Sequence, residues 1–200
     1  MKKGHLIVFE GIDGAGLTTN SNFLVNWLKS KGYKAIYTKE PTESEIGIII
    51  RKILKSNFNA DPFLLTLLFT ADRQIHVNNI ILPAIKEGYF VVCDRYYFST
   101  ITYQSTHGMD ERIIRKLSKN FPKPDIVFLL DIDPRISLKR KGEKSELYEK
   151  IDFLDSVRKK FLELASEMNF IVIPAEENLS YVQSQIIKVI SYYLEEIEND

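Results

Sequence analysis

Five short apolar runs punctuate the chain: HLIVFE at 5–10, AIYTKE at 35–40, YFVVCD at 89–94, DIVFLLDID at 125–133 and NFIVIPA at 169–175. Each is rich in β-branched and aromatic residues, and the segments between them carry helical periodicity, as with Phe23, Leu24, Trp27 and Leu28 in TTNSNFLVNWLKSKG. Short strands separated by helices predict an α/β fold of three layers, a five-stranded parallel sheet of buried strands covered on both faces. At 200 residues the chain suffices for one well-packed domain over 1–200 and is too short for two. In open parallel sheets ligands bind beyond the carboxyl ends of the strands. Gly11, Glu40, Asp94 and Asp131 to Asp133 each end a strand.

The first strand runs into EGIDGAGLTT at 10–19. Gly11, Gly16 and Thr18 stand where a phosphate-binding loop has its glycines and hydroxyl, but Leu17 replaces the lysine that would reach the β and γ phosphates. The stretch lies between a strand and a helix, where successive backbone N–H groups and a helix N-terminus point at an anion. Leu17 leaves that backbone cradle intact and removes one side-chain cation. Thr18 offers a hydroxyl to Mg²⁺, and Asp13 adds a carboxylate inside the loop. The competing reading is a glycine-rich turn that only joins strand to helix.

With 27 basic residues against 27 acidic, the chain has no net field to draw nucleic acid or an anionic surface, so any anion site is local. No apolar run approaches the roughly 20 residues of a membrane span. Cys93, the single cysteine, cannot form an internal disulfide and sits in a buried strand pattern, as a structural thiol does. These features place the expected protein in the cytoplasm, with no nucleic-acid or membrane partner.

Two further stretches bear on a second ligand. In LLFTADRQ at 67–74, Phe69 and Arg73 fall four residues apart on one helical face, where a ring and a guanidinium can stack on a base and bond its edge. Core packing for Phe69, and solvation or a pair with Asp72 for Arg73, are the alternatives. In DRYYFSTITYQ at 94–104, Asp94 and Arg95 follow a strand directly, at the sheet edge beside the loop. Arg95 suits bidentate phosphate binding, and Asp94 can hold Mg²⁺ or accept a hydrogen bond from the loop. Tyr103 and Gln104 follow on the next helical turns.

FEGIDGAG-TT, the KEP of TKEPTESEIG, LLFTADR, DRYYFSTITYQ, PDIVFLLDIDP and YEKIDFLDSVRKKFLEL occur in an order and at separations that resemble the thymidylate kinases, over roughly residues 4–190. The resemblance implies that Gly11, Ile12, Asp13, Gly14, Ala15, Gly16, Leu17, Thr18 and Thr19 hold the phosphates of ATP, the phosphoryl donor. Thr18 and Asp94 would serve Mg²⁺, and Asp13 would lie between donor and acceptor. Arg95 would bind the acceptor 5′-phosphate, Phe69 would stack on thymine, and Arg73 would bond its exocyclic oxygen. Tyr103 would crowd the 2′ position, and Thr100 and Gln104 would complete the base pocket. The implied reaction is transfer of the γ-phosphoryl group of ATP to dTMP, giving dTDP. A homodimer is also implied, for which the apolar helices around 63–82 offer a face, although core packing explains the same residues.

Three departures stand out. Lys39 of KEP occupies a position where an arginine is usual, so a point charge replaces a planar fork. Gly14 takes the loop position at which some members carry an arginine; those without it supply cations from a lid. Here the lid falls at about 139–149, with Lys139, Arg140, Lys141 and Lys144, though interspersed Glu143, Glu146 and Glu149 also fit a solvated helix end. The third departure is Leu17, for which Arg140 or Lys141, with Arg95 and Mg²⁺, would neutralise charge developing on the transferring group. A kinase of broader deoxynucleotide range, or a nucleotide-binding regulatory module without turnover, are the rival readings.

Overall fold

The computed structural model of the protein describes residues 4–56, 60–140 and 148–199. The elements run β1 His5–Glu10, α1 Leu17–Ser30, β2 Ala35–Lys39, α2 Glu45–Lys55, α3 Pro62–His76, a π-helical turn at Val77–Ile81, α4 Leu82–Lys86, β3 Phe90–Asp94 and α5 Tyr97–Thr106. They continue with α6 Glu111–Ser118, β4 Ile126–Asp131, α7 Pro134–Arg140, α8 Tyr148–Met168, β5 Ile171–Pro174 and α9 Leu179–Asn199. All five strands are parallel in the order β2-β3-β1-β4-β5. Helices cover both faces, with α1 packed on α9 and α5 packed on α3 and α8.

The expected strands are all present, with one correction. Only the central three are apolar along their length: β1, β3 and β4 bury nearly every residue, whereas β2 is mostly half-buried and β5 exposes three of its four. The reason is position, since β2 and β5 are the sheet edges. Among the described residues, no helix is long and apolar enough to cross a membrane.

Local chemistry sets the helix starts that matter below. Ser44 caps α2 by accepting from Gly47 N at 3.0 Å. Asp61 caps α3 by accepting from Phe63 N at 2.7 Å, with Pro62 at the first helical position. Helix α1 begins differently: its cap is Gly16, and no side chain takes up its first N–H groups.

Candidate active site

The site lies where the carboxyl ends of β1, β2 and β3 meet. Register pairs Phe9 with Asp94 and Lys39 with Asp94, so the chain leaves three neighbouring strands at one level, toward Gly11, Glu40 and Arg95. The loop after β1 turns through Gly11, Gly14 and Gly16, all at positive φ. At Gly11 a Cβ would lie 2.6 Å from Leu130 O, so backbone crowding as well as φ requires glycine there. Ile12, Ala15 and Leu17 are buried, which anchors the loop from below. Leu17 itself is 6% exposed and belongs to the hydrophobic core.

Thr18 Oγ1 donates to Asp94 Oδ2 at 2.5 Å, and Tyr37 OH donates to the same oxygen at 3.3 Å. The two residues expected to serve a metal therefore stand together beside the loop, and their oxygens are a donor set that could hold a hard divalent cation. Ser137 Oγ at the start of the lid side donates to Asp13 O.

Arg95 adopts φ 70, a left-handed conformation uncommon outside glycine, and its N–H donates to Phe9 O at 2.9 Å. Strain of this kind concentrates at functional sites. The conformation turns the guanidinium toward the loop: Nη1 donates to Gly11 O at 2.9 Å and Ser99 Oγ at 3.0 Å, and Nη2 to Asp13 Oδ1 at 2.6 Å. The Tyr103 ring lies 5.7 Å from its Cζ. Burial works against the Arg95 charge, but Tyr103, Asp13, Glu10 and Asp94 around it raise its pKa overall.

Beneath this lies Glu10, wholly buried, a residue that the sequence did not single out. It accepts from Tyr96 N at 2.9 Å and Ser99 N at 3.1 Å, and its other oxygen meets Ser99 Oγ at 2.5 Å. It thus ties the strand before the loop to the start of α5. Burial pushes its carboxyl up to about 7 against the hydrogen bonds from Ser99.

A cavity of about 330 Å³ opens next to Arg95. Phe69, Arg73, Arg95, Thr100, Tyr103 and Gln104 all line it, with Asp13 at one end and Leu54 and Leu65 along the wall. Phe69 is thus a cavity residue rather than core. Arg73 is neither solvated nor paired with Asp72: it is 1% exposed, Nε donates to Glu40 Oε2 at 2.7 Å, and Nη2 donates to Thr100 Oγ1 at 3.0 Å. Asp72 instead accepts from Thr42 N, Thr42 Oγ1 and Ser44 Oγ at 2.7, 2.6 and 2.6 Å, pinning the turn after β2. Four buried polar atoms of cavity residues have no hydrogen-bond partner among the described residues: Arg73 Nη1, Gln104 Oε1 and the hydroxyls of Tyr96 and Tyr103.

Lys39 stands apart from this group. Its Nζ pairs with Glu43 Oε1 at 3.0 Å, and the side chain is about half exposed rather than in the cavity wall. Arg140 is exposed at the end of α7, its Nη2 3.5 Å from Glu176 O. Lys141 and most of the lid lie outside the described residues. Sequence reasoning missed Glu10, whose only signal is a carboxylate at a strand end, and weighed Asp72 only as a partner for Arg73.

A glycine loop between a central parallel strand and an uncapped helix, beside a cavity lined by arginines and aromatic rings, defines a P-loop kinase of the nucleoside monophosphate type. The comparisons narrow the class. The family model described as thymidylate kinase matches residues 9–186. A protein of Archaeoglobus fulgidus named "Probable thymidylate kinase" is 45% identical over 192 residues, covering 94% of this chain and 96% of the relative. One of the same name from Sulfurisphaera tokodaii is 46% identical over 186 residues, covering 92% and 94%. A third, from Pyrococcus horikoshii, is 37% identical over 207 residues, covering 96% and 98%. The chain belongs to the thymidylate kinase family.

Proposed function

We propose that the protein transfers the γ-phosphoryl group of ATP to the 5′-phosphate of dTMP, producing dTDP and ADP. The observation that carries this reading is one donor and one acceptor among the cavity's four unpartnered buried polar atoms. Arg73 Nη1 is a donor and Gln104 Oε1 an acceptor, both buried and both left over. Thymine presents the complement, an O4 acceptor beside an N3–H donor. Cytosine presents the reverse and would leave both protein atoms unpaired at a cost of about 1–3 kcal/mol each. Phe69 supplies the stacking face and Tyr103 the crowding at the 2′ position, while Thr100, also in the cavity wall, accepts from Arg73 Nη2.

Residues 11–19 cradle the donor phosphates through backbone N–H groups. Arg95 exchanges its bond to Asp13 for the acceptor phosphate, which frees Asp13 toward the sugar and the donor side. Thr18 and Asp94 would hold Mg²⁺, which would supply charge neutralisation on the donor phosphates. An acceptor phosphate is already a competent nucleophile, so no general base is needed, and positioning with charge neutralisation carries the rate. Leu17 offers no cation, and the lid at about 139–149 supplies it through Arg140 or Lys141. Lys39, facing Glu43, serves as a peripheral charge at the acceptor entrance.

The chain works as one domain over 1–200, and a homodimer forms through α3 and the segment after it. Phe63, Leu64, Leu67, Ile75, Ile80 and Leu82 are each at least 40% exposed, more apolar surface than a lone helix leaves to water. Light scattering on the eluted protein reads the dimer directly.

The activity is tested by ADP release with Mg²⁺ and ATP against dTMP, dUMP, dCMP, dGMP and no acceptor. Turnover with dTMP well above dCMP supports the reading. Equal turnover with all four points to a broad kinase, and no signal above the acceptor-free control points to a regulatory module.

A further inference from the structure

Arg73 offers Nη1 to the cavity only because its other nitrogens are engaged elsewhere, and that engagement is controlled from behind. Both Nε and Nη2 lie 2.7 Å from a single oxygen, Glu40 Oε2. The second oxygen, Glu40 Oε1, lies 2.9 Å from His76 Nδ1. The far ring nitrogen, His76 Nε2, lies 2.5 Å from Thr38 Oγ1 on β2. The arrangement that satisfies all of these atoms has Thr38 Oγ1 donating to Nε2 and Nδ1–H donating to Glu40. Arg73 and His76 sit three residues apart on α3, so both reach the same carboxylate.

Every member is fixed. The side chains of Arg73, His76 and Glu40 are 1, 0 and 3% exposed, and Glu40 N donates to Asp94 O at 3.0 Å, extending the sheet ladder. Cys93 Sγ stands within 4.8 Å of the Glu40 and His76 ligand atoms, which makes a triad of metal-binding types. Its own contact is with Arg95 O at 3.0 Å, and both imidazole nitrogens are already taken, so the triad is a relay and not a metal centre.

We propose that His76 is a positioning residue for acceptor recognition, holding Glu40 Oε1 so that Arg73 keeps Nη1 free for the base. His76 does not line the cavity and touches no substrate. Without it, Glu40 Oε1 is a buried carboxylate oxygen lacking a donor, and Arg73, already bonded to Glu40 Oε2, carries an unspent donor in Nη1. The carboxylate turns to engage it end-on, and the guanidinium is lost to the base. The inference rests on the reading of the cavity as a thymine site.

The test compares wild type with His76→Leu, His76→Asn and Thr38→Val. Asparagine keeps a donor near the Nδ1 position; leucine does not. For each, kcat and KM are measured with dTMP, dCMP and ATP. His76→Leu is expected to raise KM for dTMP by about tenfold and to lower the preference for dTMP over dCMP by a similar factor, with kcat within about twofold. KM for ATP stays unchanged, and His76→Asn restores KM for dTMP to within about threefold. Thr38→Val, which keeps the shape of the side chain, gives a smaller rise of about threefold and stands in if the leucine variant does not fold.

Equal KM and equal discrimination in the leucine and asparagine variants would overturn the proposal. So would a Thr38→Val enzyme indistinguishable from wild type, or a uniform loss in which kcat and both KM values worsen together. A wild-type enzyme that does not phosphorylate dTMP overturns the functional reading itself. Activity on dTMP with unaltered discrimination in the His76 variants overturns this inference alone.

Discussion

Leu17→Lys puts back the cation that phosphate loops ordinarily carry, and two effects of opposite origin follow. Leu17 is 6% exposed in the core, with Cδ2 3.5 Å from the point where a Cβ on Gly11 would stand. Burying a leucine contributes about 1.5–3 kcal/mol, and a lysine stem recovers part of it by lying along the same surface with its ammonium turned toward the loop. The ligand-free variant therefore loses about 1–2 kcal/mol, a fall in Tm of about 2–8 °C for a chain of this size. One preorganised donor to a transition state is worth about 10²–10³ in rate where nothing replaces it. With lid cations in its place, Leu17→Lys raises kcat by no more than about threefold. Steady-state kinetics at saturating ATP and dTMP, on wild type, Leu17→Lys, the Arg140→Met/Lys141→Met pair and the combination, close a cycle. Removing the lid pair lowers kcat by about 10² in wild type and by about tenfold or less beside Lys at 17. A hundredfold gain from Leu17→Lys alone, or a lid pair whose removal changes nothing, would refute the substitution of one cation for another.

Other consequences follow from single sites. A Cβ at Gly47 would sit 2.0 Å from Thr42 O, so Gly47→Ala displaces the turn that Asp72 pins; it lowers stability by about 2 kcal/mol and raises KM for dTMP while leaving that for ATP unchanged, which denaturant melts and kinetics report. Glu10 has its carboxyl raised from 4.5 to about 7 by burial, so the folded protein holds the proton more tightly than the unfolded chain. Its contribution is full below about pH 4.5 and lost as pH rises toward about 7, on the order of 3 kcal/mol. In Glu10→Gln this part of the slope disappears, as urea unfolding at pH 5 and pH 8 would show; an unaltered slope would remove Glu10 as its source. Cys93 is wholly buried, and burial raises its thiol well above the usual range, so a disulfide reagent leaves the native protein unlabelled and reacts on denaturation.

The strands, the glycine loop and the helix that carries Phe69 and Arg73 were legible because each is written in a local period or a short motif. Strand ends at Gly11, Glu40 and Asp94 marked the edge where the site lies, and the four-residue spacing of Phe69 and Arg73 put both on the cavity side. What the sequence could not show was pairing across distance. Asp72 adjoins Arg73 and is its obvious neighbour, yet adjacent residues on a helix point apart, and Arg73 reaches Glu40 from 33 positions away. The buried Glu10 gave no signal, since a carboxylate at a strand end reads equally as an exposed one. β5 read as a buried strand because its apolar run resembles the central ones, while only the sheet order shows it to be an edge.

The most direct measurement is identification of the product. Protein incubated with Mg²⁺, ATP and dTMP, followed by phosphorus NMR or ion-exchange chromatography, is expected to yield dTDP and ADP in equal amounts, with dCMP left largely unconverted. ATP cleaved to ADP and free phosphate with dTMP unchanged, or dCMP converted as fast as dTMP, would contradict it.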